Sequence, residues 1–200
     1  MLSIQCLCAA RSRGTSLIEV LVTIVILAFG LLGVAGLQTK IGVAEMESYQ
    51  RAQALLALSQ VTERLSANTA QAAGYVTAGT VGTGDAQPAD CSGIAAGPNH
   101  DLCEWSNALK GASEQRSGAN AGGMVGARGC ITQLQAANPA LGVCTTGIYQ
   151  VSIAWQGMVA TASPGTATPA LACGTGSYGA NDAFRRLITN TVSVGTTSCY

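Results

Sequence analysis

Positions 11–40 read RSRGTSLIEVLVTIVILAFGLLGVAGLQTK, and this stretch decides the fold. From Val20 to Leu37 it has no charged residue, and those 18 positions reach about 27 Å as a helix, close to the thickness of bilayer hydrocarbon. Arg11 and Arg13 precede the apolar run. The positive-inside tendency therefore holds the amino end in the cytoplasm and sends the chain beyond Lys40 to the other side. Glu19 breaks the pattern: it stands at the border of the run, where an ionised group at bilayer depth costs on the order of 2.5 kcal/mol or more. An ordinary anchor has no reason to keep it.

Working outward, the helix is predicted to continue beyond Lys40 with a different period. Ala54, Leu58, Val61 and Leu65 recur at spacings of four, three and four, which is one helical face. Glu45, Glu47, Gln50, Arg51, Gln60, Glu63 and Arg64 fill much of the remainder. Asn68 and Gly74 then mark the end. A helix from about Thr15 to Ala67 would be about 80 Å long, with an apolar half that crosses a membrane and an amphipathic half whose stripe needs a partner surface.

The rest of the chain carries sparser signals. Residues 74–98 are rich in Gly, Ala, Thr and Pro and read as a surface loop. Leu102, Trp105 and Leu109 have helical spacing within Asp101 to Leu109, and their expected role is core. Tyr149, Val151, Ile153 and Trp155 alternate as in a strand, and residues 186–194 repeat the device, so two neighbouring antiparallel strands are expected. The intervening residues 162–181 read as a Pro/Gly/Ser loop containing Cys173, long enough to be a functional surface and equally consistent with filler.

Aromatic residues make up only 4% of the chain and glycine numbers 25, so the soluble core must be thin and needs other staples. Beyond residue 14 the cysteines are Cys91, Cys103, Cys130, Cys144, Cys173 and Cys199, an even set in a Gly-rich domain that follows an export segment. They read as a disulfide framework with 15 possible connectivities, of which Cys91–Cys103, Cys130–Cys144 and Cys173–Cys199 is the sequence-nearest.

Several function classes lack their residues. Ten basic and ten acidic side chains balance, which argues against nucleic-acid binding by charge. The sole histidine, His100, lies in a Pro-Asn-His-Asp segment read as surface loop, so hydrolytic catalysis has no obvious base. No CxxC, HExxH, P-loop or dinucleotide fingerprint occurs, and neither a metal nor a cofactor is expected. Arg185-Arg186 reads as a solvated strand edge.

Arg13-Gly14-Thr15-Ser16-Leu17-Ile18-Glu19-Val20 resembles the class III signal of type IV pilins and pseudopilins. The resemblance implies cutting by a prepilin peptidase between Gly14 and Thr15, with Glu19 fifth in the mature chain. It further implies methylation of the new terminus, although Thr15 stands where major pilins carry phenylalanine. Glu19 would neutralise the amine of a neighbouring subunit, offsetting its own desolvation and setting register. The implied fold class is α+β: the type IV pilin fold, a long N-terminal helix packed on a small antiparallel sheet with disulfide-stapled loops. Its parts would be a leader at 1–14, a transmembrane and filament-core helix at 15–40, and an amphipathic continuation with a periplasmic domain at 41–200.

Ala127 to Ile131, Cys144 to Gly157, Cys173-Gly174 and Arg185-Arg186 are similar to PilV-type minor pilins. That branch implies an inner-membrane subunit that joins other minor pilins and the major pilin, primes pilus assembly, and sits at the tip with an adhesin. It acts as a structural subunit, not an enzyme. Two alternatives stand beside it. A type II secretion pseudopilin shares the N-terminal logic. A secreted protein cut by signal peptidase near Gly33-Val34-Ala35 would start at Gly36, but Glu19 within its apolar core opposes this.

Overall fold

The computed structural model describes residues 14–140 and 142–196, in two compact units, Met1–Ala44 and Glu45–Tyr200. In the first unit, residues 14–16 lead into helix α1, Leu17–Ala67. The Ser16 carbonyl accepts the amides of Glu19 at 3.0 Å and Val20 at 3.2 Å, which opens the helix. Residues 14–41 are all exposed within the chain. The most apolar window of α1 has a mean hydropathy of 2.7 and none of it is buried. Among the described residues it is the one helix long and apolar enough to cross a membrane.

The second unit begins within α1. Ala54, Ala57, Leu58, Val61 and Leu65 form its buried face, and two alanines there let the helix lie close against its partners. Gln50, read from sequence as part of the polar side, is 2% exposed on that same face, four residues before Ala54. After α1 come a 3-10 stretch, Thr69–Tyr75, then β1 (Val81–Gly82), α2 (Pro98–Leu109), β2 (Gln115–Arg116), β3 (Ala119–Asn120), β4 (Arg128–Gln135), β5 (Gly147–Gln156) and β6 (Arg185–Val194). The main sheet has the order β1-β4-β5-β6 with every pair antiparallel, while β2 and β3 form a separate hairpin. A long helix whose buried face packs on a small antiparallel sheet, with stapled loops, is the type IV pilin fold.

β5 organises two layers, because successive side chains of a strand point to opposite faces. Tyr149, Val151, Ile153 and Trp155 join α1, α2, Ile131 and Val192 in one core. Ser152 and Ala154 are also buried, on the opposite face. There the 162–181 segment covers the sheet: Tyr178 donates to the carbonyls of Gly126 at 2.8 Å and Ala154 at 3.0 Å, and Cys173 bonds Cys130. This segment, read from sequence as a loop that could be functional surface or filler, is the second layer.

The same alternation separates Arg185 from Arg186 and corrects the reading of both as solvated. Arg185 is 1% exposed and donates to the carbonyls of Leu171, Cys173, Pro164 and Gly165, so its guanidinium pins the covering segment. Arg186, on the α1 face, bonds Glu47 at 2.8 Å.

Helix α2 starts three residues earlier than predicted, because Gly97 at φ 139 and Pro98 in the first turn set its beginning. Its Trp105 is 1% exposed, donates its indole N–H to the Ala57 carbonyl at 3.0 Å, and brings its ring up to Gly129 of β4. A Cβ at Gly129 would sit 2.2 Å from the Trp105 ring, so glycine is required there. Trp105→Ala is expected to cost about 3–5 kcal/mol of domain stability, read as a lowered denaturant midpoint with the disulfides intact.

Candidate functional site

The residues that the sequence marks for processing and charge neutralisation, Gly14, Thr15 and Glu19, lie at the start of α1. Gly14 and Thr15 precede the helix and are exposed, and a Cβ built on Gly14 would meet nothing within 4 Å. Glu19 falls in the first turn, where the helix dipole favours a negative side chain. Among the described residues it has no ion-pair partner in the chain. Arg11 and Arg13 lie outside the described residues.

Downstream of Glu19 the polar groups of the apolar run are satisfied within the helix. Thr23 donates to the Val20 carbonyl at 2.8 Å and Thr39 to the Ala35 carbonyl at 3.0 Å, so neither needs water. Glu19 is then the one charged group between Thr15 and Leu37, and no ion pair among the described residues answers it. Helix geometry thus supports a segment that sits in lipid or against other apolar helices, with a single acid at its entrance.

In the second unit, cross-links do what a thin core cannot. Cys91–Cys103 and Cys130–Cys173 are bonded, with S–S distances of 2.05 and 1.99 Å. Cys144 is also disulfide-bonded, whereas Cys199 lies outside the described residues. The first bridge matches the sequence-nearest pairing and the second does not, because β4 and the covering segment meet across the sheet rather than along the chain. Loop closures of 12 and 43 residues stabilise by about 3 and about 4 kcal/mol in the chain-entropy model.

Charged clusters fasten the elements together. Arg64 of α1 reaches Asp101 Oδ1 at 2.7 Å and Glu104 Oε2 at 2.5 Å on α2, and Tyr75 donates to the other Asp101 oxygen. His100, Asp101 and Glu104 have ligand-type atoms within 4.8 Å of one another, but the Arg64 guanidinium already occupies the carboxylates. His100, read as a loop residue, sits in the first turn of α2 with Nε2 3.8 Å from Glu104. A second cluster joins Asp85 to Lys110 at 2.5 Å and to the buried Ser106 hydroxyl at 2.8 Å. A third sets Glu47 against Arg186 and the amides of Met158 and Val159. Apart from the local His100–Glu104 pair, none of these was visible in sequence, since the partners are 21 to 139 residues apart.

Two of these clusters make stability depend on pH. Burial, and then the Asp101 carboxylate it donates to, pushes the Tyr75 phenol up to about 12 from 10.0. The neutral phenol contributes stability that is fully present below pH 10 and is lost as pH rises towards 12. Burial opposes ionisation of Asp85, but Lys110 and the hydrogen bonds from Gly82, Ser106 and Gln87 outweigh it and hold the carboxyl below its ordinary value of 3.8. Its contribution is present above that value and is lost as pH falls through the depressed one. Thermal melting followed against pH is expected to show both limbs. Tyr75→Phe flattens the alkaline limb and Asp85→Asn the acid limb, each with a lower plateau.

The family model described as the prokaryotic N-terminal methylation motif matches residues 9–35, the segment that holds Gly14, Thr15 and Glu19. Searches of curated proteins and of solved structures returned no match. The motif supports a type IV pilin-like protein, a pilin or pseudopilin, and with it a structural subunit that is anchored by its N-terminal helix and processed by a prepilin peptidase.

Proposed function

We propose that the chain is a minor type IV pilin of the PilV type, a structural subunit that promotes pilus assembly and enters the filament near its tip. The peptidase cuts between Gly14 and Thr15 and releases residues 1–14. Residues 15–40 hold the subunit in the inner membrane and later in the filament core, and residues 41–200 supply the periplasmic domain. Other minor pilins, the major pilin and a tip adhesin are its partners.

One observation supports this proposal: a single acid in the first turn of α1, at the entrance to an apolar stretch whose residues 14–41 are all exposed, within the segment that the methylation motif matches. After cleavage the amine of Thr15 is a positive charge at the same helix end. In a bundle of parallel helices that amine and the carboxylate of the next subunit answer each other, which removes the penalty of burying either alone. Deleting the gene is expected to reduce surface pili severalfold, and the chain is expected in filaments sheared from wild-type cells. Unchanged piliation would argue against an assembly role. Loss of protein secretion with normal piliation would favour the pseudopilin alternative.

A further inference from the structure

The outer edge of β6 has no strand beside it among the described residues. Gly157 donates to the Phe184 carbonyl at 2.8 Å just before β6 begins, and the pairing with β5 then runs from Gln156↔Arg185 to Gly147↔Val194 with no register shift. Hydrogen-bonded pairs alternate along an antiparallel ladder, so the even-numbered residues of β6 bond to β5. The main-chain groups of Leu187, Thr189, Thr191 and Ser193 therefore turn to the other side. No strand follows β6 in the sheet order, and no main-chain bond from another described segment reaches these four residues. Soluble proteins blunt such edges with charge, proline or a bulge, yet residues 187–194 contain none of the three.

Beside this edge runs a groove of about 320 Å³ between α1 and β6, lined by Leu55, Leu58, Ser59, Thr62, Thr189 and Asn190. Leu55 is 52% exposed, and the buried Thr62 hydroxyl has no partner. We propose that the free edge of β6 receives an extended, uncharged segment of a partner subunit as a fifth strand. Its main chain pairs with Leu187, Thr189, Thr191 and Ser193, and every second side chain, apolar, enters the groove against Leu55 and Leu58. No charged residue lines the groove, so an ionised side chain entering it would lose water and gain no partner.

The occupant is a different segment rather than a symmetric second copy. Antiparallel pairing of two β6 edges has its two-fold axis normal to the sheet, which would set the α1 segments of the two copies in opposite directions. Subunits of one filament or one membrane share a direction. The inference rests on the assembling-subunit function proposed above and deepens it by naming the surface used.

A photoreactive benzoylphenylalanine at position 191 of the full chain, expressed in piliated cells, tests it. The expected product joins position 191 to an uncharged extended segment of another subunit. Thr189→Pro should reduce that product about tenfold, since it removes an edge donor worth roughly one interface hydrogen bond and obstructs the added strand. Thr189→Val, which keeps the N–H, should leave the product unchanged. Retention of the Cys91–Cys103 and Cys130–Cys173 bonds in Thr189→Pro establishes that the domain still folds. A chain that assembles normally but gives no such product, or a product indifferent to Thr189→Pro, overturns the edge proposal and leaves the filament function standing. The product persisting in a chain absent from filaments would do the reverse.

Discussion

Glu19→Ala is expected to leave the chain in the membrane and to remove it from filaments. The substitution makes the segment more apolar, so insertion does not suffer. What it deletes is the answer to a buried positive terminus in the neighbouring subunit. An uncompensated charge at that depth costs on the order of 2.5 kcal/mol, which corresponds to a drop of about fifty-fold or more in incorporation. Glu19→Gln should fail almost as badly, because it keeps the shape and loses the charge. Glu19→Asp should fall between, keeping the charge on a shorter arm. Quantifying the chain in membrane and sheared-filament fractions reads all three. Normal incorporation of Glu19→Gln would mean that charge neutralisation is not the mechanism.

Gly14→Val is expected to stop maturation outright. A Cβ at this position meets nothing within 4 Å, so the substitution has no cost to the folded chain and any effect belongs to the peptidase. A glycine lets another backbone approach closely, and a β-branched residue obstructs that approach. The product should migrate at precursor mass with both bridges formed, Cys91–Cys103 and Cys130–Cys173, and should be depleted from filaments by about tenfold or more, as a retained leader leaves no amine beside Glu19. Cleavage at the wild-type rate would move the processing site elsewhere.

What was legible in the sequence follows how local each signal is. The helix from Leu17 to Ala67, its buried stripe at Ala54, Leu58, Val61 and Leu65, the α2 core residues and the pairing of β5 with β6 all depend on periodicity within one segment. Gln50 escaped because a glutamine on the apolar face gives no apolar signal. β4 escaped as well: Arg128, Gly129 and Gln133 dilute its alternation, and Gly129 is there to admit Trp105, which only the folded chain reveals. Arg185 looked solvated because the carbonyls that hold it come from residues 164–173, a segment with no regular structure of its own. The second disulfide was illegible for a similar reason, since it joins faces of the sheet rather than neighbours in the chain.

At the amino terminus the situation is reversed. The charge pattern of Arg13, Gly14 and Glu19 is fully local, and the helix adds only that Glu19 lies in the first turn with no partner of its own among the described residues. Under the proposed function its partner is the amine of a neighbouring subunit, which a single chain does not contain.

Intact-mass spectrometry of the chain recovered from sheared filaments tests this most directly. The account predicts a mature protein beginning at Thr15, with or without a single added methyl group. A chain beginning at Gly36, which lacks Glu19 and all but two residues of the uncharged run from Val20 to Leu37, would contradict it.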